Sequence, residues 1–369
     1  MLEESIVNRN FLRHLLPAAA TITLATALLL PIAALGSVEF THQDWQVACD
    51  NTRTCRLVGY QAENNSELPV ALLLVRRAGS SAEVTGKVKL GGAKESSAKS
   101  LMQLGNRHRI SLFINDKDLG ETKPFSTPSG DAELTSAQVS ALLEALSKSS
   151  KIELVVRNTR WQLSDKGATA VMLKADEAQG RIGTASAFIS QGANNKPDSQ
   201  ILNPKPAPEL RLVLPQSKPS ANSKKFAMRA STLAAVLSST LTDVNDECPK
   251  LNDKTPWQVK RLNDQQLLLQ HNCWLAAYNS GDGIWVINDR KPYNPTLVTT
   301  NASTYNDKGT ISAVQKGRGI GDCFSKTEWV WTGKSFSKSY ESTTGLCRLI
   351  DAGGAWDLPT YVTQVKTAS

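Results

Sequence analysis

Trp45-Gln46-Val47-Ala48-Cys49-Asp50-Asn51-Thr52-Arg53-Thr54-Cys55-Arg56-Leu57-Val58-Gly59 reads as a β-hairpin with a covalent lock. Trp45, Val47 and Cys49 recur every second residue, so they share one face of an extended strand. Asp50-Asn51-Thr52-Arg53 supplies turn residues. Cys55, Leu57 and Gly59 then share one face of the returning strand. Opposed non-hydrogen-bonded residues in such a pair sit at a spacing that suits a disulfide. Closing so short a loop stabilises by roughly 2 kcal/mol in the chain-entropy description.

The lock sets the compartment. Six cysteines, Cys49, Cys55, Cys248, Cys273, Cys323 and Cys347, form three close pairs in sequence. An even count in an exported chain reads as disulfides. If the two halves of the chain fold separately, Cys49 pairs with Cys55 and three choices remain for the other four. The preferred one is Cys248–Cys273 with Cys323–Cys347, because local partners need the least chain organisation. Loops of that length add roughly 3–4 kcal/mol each. There is no C-x-x-C, and His42, His108 and His271 are the only histidines after residue 36. That spacing speaks against a zinc site and against a redox dithiol. No metal and no cofactor is expected.

Residues 1–36 read as a signal peptide. Arg9 and Arg13 precede an apolar run from Leu15 to Leu35, and Ala34-Leu35-Gly36 is a small-x-small cleavage pattern. Pro17 and Pro31 interrupt the run, which argues against a membrane anchor. After Val38 no stretch is long and apolar enough to span a bilayer. The expected mature protein is soluble, periplasmic and starts at Ser37.

Working outward, the chain divides at its prolines. Residues 203–223 carry Pro204, Pro206, Pro208, Pro215 and Pro219 and read as a linker or ordered crossover. Leu210, Leu212 and Leu214 alternate inside it, which suggests a short docked strand. An N-terminal β-rich domain is expected over 37–202 and a disulfide-stapled β-rich domain over 224–369. In the first, Thr135 and Gln138 form a capping-box pattern ahead of Val139, Leu142, Leu143 and Leu146. A second helix follows Gly167 and stops at Gly180. The fold class is α+β, mainly antiparallel β, with two sandwiches or half-barrels carrying one or two helices each. Trp257, Trp274, Trp285, Trp329, Trp331 and Trp356 all lie in the second half. Core packing between sheets is the first explanation of that set, and a binding face through Trp329 and Trp331 is the second.

Phe40-x-x-x-Asp44-Trp45-x-Val47-x-Cys49-Asp50-Asn51-x-Arg53-x-Cys55 resembles the opening of an uncharacterised family of exported proteobacterial proteins. Three later segments fit the same family in order. They are Asp176-Glu177-Ala178-Gln179-Gly180-Arg181-x-Gly183-Thr184, Trp274-x-x-x-Tyr278-Asn279, and Gly321-Asp322-Cys323 through Gly353-Gly354-x-Trp356-x-Leu358-Pro359. The resemblance implies a periplasmic location and carries no established activity. The opening strands are also similar to invasion-associated locus B proteins, without any site residue carried across.

No nucleophile–base set emerges. There is no G-x-S-x-G, and oxidised cysteines are not nucleophiles. Asp176-Glu177 and Asp246-Glu247 are the paired acids, and neighbouring acids usually mark a helix end rather than a glycosidase pair. Arg181 is expected to pair with Asp176 or Glu177 around a Gly180 cap, and otherwise to serve in recognition. The formal net charge is +8. An anionic envelope component, or another envelope protein, is therefore the expected partner, with Arg76 and Arg77 exposed at a strand end. The chain reads as a non-catalytic binding or interaction protein. An envelope-polymer hydrolase working through carboxylates, or an inhibitor of a hydrolase, is the alternative. No nucleic acid is expected.

Overall fold

In the computed structural model, residues 37–91, 109–126, 130–189, 196–216 and 234–368 are described. The expected signal peptide, His108 and the linker beyond residue 216 lie outside them. Within them the opening hairpin forms as its sequence dictates. β1 (Val38–His42) leads through Gln43, which has a positive φ, into β2 (Trp45–Cys49). β2 returns as β3 (Cys55–Tyr60), with Cys49 directly opposite Cys55 and disulfide-bonded to it. Gly59 lies opposite Trp45, and a Cβ there would come within 2.3 Å of the indole ring. The glycine is needed because the Trp45 ring lies flat across its partner strand and donates from Nε1 to the Ser164 carbonyl at 2.8 Å.

β4 (Val70–Arg76) and β5 (Val84–Leu90) extend this sheet by antiparallel pairing. β6 (Ser111–Ile114) and β7 (Lys117–Glu121) follow, and β8 (Asp131–Glu133) pairs with β5 to complete six strands. α1 (Ser136–Leu146) has the expected capping box: the Thr135 side chain accepts from the Gln138 backbone, and the Gln138 side chain accepts from Thr135. β9 (Ile152–Val156) and β10 (Thr159–Leu163) join β6 and β7 in a four-stranded sheet. α2 (Ala168–Ala178) begins after Gly167, as its periodicity requires.

The proline-rich segment holds β11 (Glu209–Leu212), so the alternating leucines do form a strand. Two short helices, α3 (Ala234–Ser238) and α4 (Val244–Glu247), come next. β12 (Gln258–Arg261), β13 (Gln266–Leu275), β14 (Ser280–Asn288) and β15 (Thr296–Ala302) form a four-stranded sheet. β16 (Thr304–Asn306), β17 (Thr310–Lys316), β18 (Phe324–Trp331), β19 (Phe336–Thr343) and β20 (Leu358–Val362) form a five-stranded one. β21 (Gln364–Thr367) pairs in parallel with β11; the other strand pairs are antiparallel. The fold is α+β and mainly antiparallel. The described sheets are open, so the half-barrel alternative gives way to packed open sheets.

Alternation places the core. Trp45, Val47, Leu57, Leu72 and Leu74 point one way, to Leu112, Val139, Leu142, Leu154, Val171 and Met172. Ala48, Val58, Tyr60, Ala71 and Leu73 point the other way, to Ile350, Ala355, Trp356 and Leu358. β2 to β4 are therefore buried on both faces, and residues from 37–202 and 224–369 share one apolar cluster. Polar ties cross the same boundary. Arg348 pairs with Asp44 at 2.9 Å, the Leu346 N–H donates to the Tyr60 hydroxyl at 3.1 Å, and the Asn51 amide exchanges two bonds with Val362.

In the second half, Leu267, Leu269, Trp285 and Ile287 pack with Leu237 of α3 and the Cys248–Cys273 disulfide. The opposite face of the same strands, through Leu268, Ile284 and Val286, packs on Ile311 and Trp331 of the five-stranded sheet. The third disulfide joins Cys323 and Cys347.

Candidate functional site

The most concentrated set of buried charge lies where α2 ends against β4. The helix stops because Gly180 adopts φ +68°. The Gly180 N–H then bonds to the Glu177 carbonyl and the Arg181 N–H to the Asp176 carbonyl at 2.8 Å. This is a Schellman arrangement, which satisfies the last helical carbonyls and turns the chain back beneath the helix. The turn carries the Arg181 side chain inward rather than out to solvent.

Asp176 is fully buried and does not pair with Arg181. Its Oδ1 accepts from Arg76 Nη2 at 2.6 Å and its Oδ2 from the Ile189 N–H at 3.0 Å. Glu177 is exposed and pairs with Lys174. The expected Arg181 ion pair is thus replaced by an Arg76 one. The reason is geometric: Arg76 ends β4 on the same face as Leu72 and Leu74, so it enters the core beside the helix. The Arg76–Arg77 doublet is accordingly split, with Arg76 buried and Arg77 exposed. The expectation that both face solvent is corrected for Arg76.

Gln179 knits the set together. Its Oε1 accepts from Arg76 Nε at 2.7 Å, while its Nε2 donates to the carbonyls of Arg53 and Arg76. Arg76 Nη1 reaches the Ser186 carbonyl at 3.2 Å, and its guanidinium lies 3.5 Å from the Phe188 ring centre. Arg181 Nη1 donates to Ser186 Oγ at 2.6 Å and Nη2 to the Gly79 carbonyl. Arg181 Nε is buried with no partner among the described residues. Two guanidiniums therefore face one carboxylate. Burial pushes the Arg76 guanidinium down to about 10; Asp176 pulls it back up and Arg181 opposes that. Burial lowers Arg181 too, against the pull of Asp176 and Asp198. Arg76 remains a cation at neutral pH.

This set forms one wall of a cavity of about 620 Å³. Arg76, Arg181, Ser186 and Phe188 face Ser136, Val139, Ser140 and Leu143 of α1 across it. Glu83 and Glu144 stand at its exposed edge, and Glu144 is already paired with Lys148. A space with buried guanidinium on one side and serine, valine and leucine side chains on the other suits a small anionic group.

The remaining candidates separate. Trp331 is buried between the two C-terminal sheets, so it is core and not a binding surface. Trp329 is half-buried and lines a different depression, on the five-stranded sheet. Asp243 caps α4 by accepting from the Asn245 N–H, and Glu247 accepts from Thr242 N–H. Those acids serve the helix start. The one grouping of metal-type ligands among the described residues is Asp322 with Cys323 and Cys347, whose sulfurs are joined in the disulfide. Gln179 lay inside the quoted Asp176–Thr184 motif without a role of its own, and Ser186 and Phe188 were not singled out by sequence. Their signal was weak, since each contributes through distant partners that no local spacing reveals.

Comparison with known proteins fits this picture of a fold without an assigned chemistry. No solved structure matches the chain. It is similar to the uncharacterised protein YpfG of Escherichia coli (strain K12), at 24% identity over 331 residues, covering 79% of this chain and 84% of that one. Residues 39–363 match the family described as "Protein of unknown function (DUF1176)", which takes in the hairpin lock, the Asp176–Arg181 turn and the Cys323–Cys347 loop. With most of its length matched, the chain belongs to that family.

Proposed function

We propose that the protein is an exported, non-catalytic binding protein that takes a small anionic group, a carboxylate or phosphate, in the cavity beside Arg181. The observation that carries this reading is that Arg76 and Arg181, two buried guanidiniums set against the single buried carboxylate of Asp176, both line the cavity. Guanidinium in excess of its carboxylate partners is the group that an anion complements best. Three disulfides and the small-x-small pattern at Ala34–Gly36 support export to the periplasm, where acidic groups of envelope polymers are the natural source of such a ligand. N-terminal sequencing of the secreted form should begin at Ser37; an intact Met1 would remove the export half of the reading.

The cavity half is tested by thermal unfolding of the protein from Ser37 to Ser369, in phosphate or succinate against chloride at equal ionic strength. A ligand at roughly a hundred times its Kd stabilises by about 2.7 kcal/mol. Ser140→Trp fills the cavity from an exposed helix position without touching the buried cluster. It should abolish the anion-specific stabilisation and leave the chloride melting temperature within a few degrees. Equal melting in all three salts for the unaltered protein would sink the anion site.

A further inference from the structure

A second depression, of about 460 Å³, lies on the five-stranded sheet far along the chain from the Arg181 cavity. It is built by register. Thr327 of β18 sits opposite Ala313 of β17 and Glu341 of β19, while Ser325 sits opposite Gln315. Trp329 continues the same face two residues on. Opposite it the pairing jumps: Glu328 faces Tyr340, but Trp329 faces Lys338, so Ser339 is an extra residue. Such a bulge re-aims side chains. Here it turns Lys338 onto the face that carries Glu341, and the two meet at 3.0 Å. Thr299 and Asn301 of β15 close one side. Gln315 fixes that side, donating from Nε2 to the Asn301 and Ser280 carbonyls, which leaves its Oε1 with no partner among the described residues.

The chemistry of this lining is specific. It offers one partly buried indole, that of Trp329, which also packs against the apolar cluster between the sheets, several hydroxyl and amide groups that both donate and accept, and one cation whose charge Glu341 already balances. A purely apolar ligand would strand the polar groups, and an ion would meet a compensated pair. A pyranose ring has the complementary surface: an apolar C–H face to lie on an aromatic plane, and a rim of hydroxyls that donate and accept. The volume falls within the roughly 300–1,000 Å³ of small-ligand sites. We propose that this groove binds neutral pyranose units of a saccharide, with Trp329 as the stacking platform and Thr327, Asn301 and Glu341 meeting ring hydroxyls. The proposal is independent of the anion site.

The test uses the protein from Ser37 to Ser369 in calorimetric titration with neutral trisaccharides of glucose and of N-acetylglucosamine, and in pull-down with insoluble cellulose and chitin. Saturable binding to at least one is expected. Binding to a trisaccharide identifies a free oligosaccharide as sufficient ligand, and binding to a polymer alone identifies an extended glycan. Trp329→Ala should weaken binding by roughly tenfold, while Trp329→Phe, which keeps a ring, should stay within about threefold. Thermal unfolding of both variants confirms that they fold, and Thr327→Val gives a second loss without cavity formation. Ser140→Trp should bind as the unaltered protein does. Affinity should hold when salt rises from about 0.1 to about 0.5 M, since no net charge is used. Absence of saturable binding to every saccharide, undiminished binding by folded Trp329→Ala, or collapse of binding with salt would each overturn the proposal.

Discussion

Arg76 sets the terms of the argument at the scale of single residues. It is the last residue of a strand, beside a second arginine, and a doublet at a strand end suggests solvent. The period of two says otherwise: Leu72, Leu74 and Arg76 fall on one face, and that face is the core. The burial of Arg76 was therefore legible, while its partner was not. Nearness in sequence offered Arg181 to Asp176, and only the Schellman turn decides that Arg181 swings past it and Arg76 takes its place. The pair makes a sharp prediction. Arg76→Met strips the buried Asp176 carboxylate of its bonded partner, leaving Arg181 near it but not hydrogen-bonded to it, and should destabilise by roughly 3–5 kcal/mol. Adding Asp176→Leu removes the stranded charge and should recover a large part of the loss, because a buried pair is worth less than the damage of halving it. Urea unfolding of the two variants measures this. Additive losses would mean that the pair is not the unit holding α2 to β4.

Elements were legible in proportion to their apolar signal. α1 announced itself through a capping box and helical spacing, and the Cys49–Cys55 hairpin through turn residues between alternating strands. β7, β8, β15, β16, β20 and β21 were missed; of these, Lys-Asp-Leu-Gly-Glu, Asp-Ala-Glu, Thr-Tyr-Asn and Gln-Val-Lys-Thr are short and polar and owe their extension to a neighbouring strand. The loop that joins β19 to β20 illustrates how a polar anchor replaces apolar burial. Asp322 accepts from Arg318 through both carboxylate oxygens and from the Leu349 N–H at 2.8 Å, beside the Cys323–Cys347 disulfide. Burial by itself would raise its pKa; the Arg318 and Leu349 hydrogen bonds and the Arg318 charge outweigh it and hold the pKa below the ordinary carboxylate value. A carboxylate with a depressed folded pKa stabilises the fold above its unfolded pKa and loses that contribution as pH falls through the folded value. The protection of the Leu349 amide, taken relative to the intrinsic exchange rate at each pH, should therefore stay high at neutral pH and fall below about pH 4. In Asp322→Asn that protection should already be low at neutral pH and change little with acid. An identical acid response in both proteins would show that other groups control the loop.

The whole molecule turns on a face that its sequence disguised. Val70-Ala71-Leu72-Leu73-Leu74-Val75 is an unbroken apolar run, and such a run marks a strand covered on both sides. One cover, α1 and α2 with the second sheet, is local to residues 37–202. The other comes from Ile350, Ala355, Trp356 and Leu358, nearly three hundred residues away, which no local pattern could supply. The composition break at the prolines therefore predicts two domains, while the apolar bookkeeping ties residues 37–202 to the C-terminal loop. Expressing 37–202 alone puts these in direct competition. Val58, Tyr60, Ala71 and Leu73 would face water; each large apolar side chain so bared forfeits roughly 1.5–3 kcal/mol. The Tyr60 hydroxyl would lose its Leu346 donor, and Asp44 its Arg348 partner. Against a typical total stability of about 5–15 kcal/mol, that loss is decisive. The fragment is expected to melt well below the protein from Ser37 to Ser369, to bind an apolar fluorescent dye, and to keep the Cys49–Cys55 disulfide, whose loop is wholly local. Substituting Leu73→Glu in the longer protein should reproduce the lower melting temperature, and in the fragment it should suppress dye binding. A fragment that melts as the longer protein does and leaves the dye dark would mean that the C-terminal loop merely rests on this face, and that the two halves hold themselves together separately.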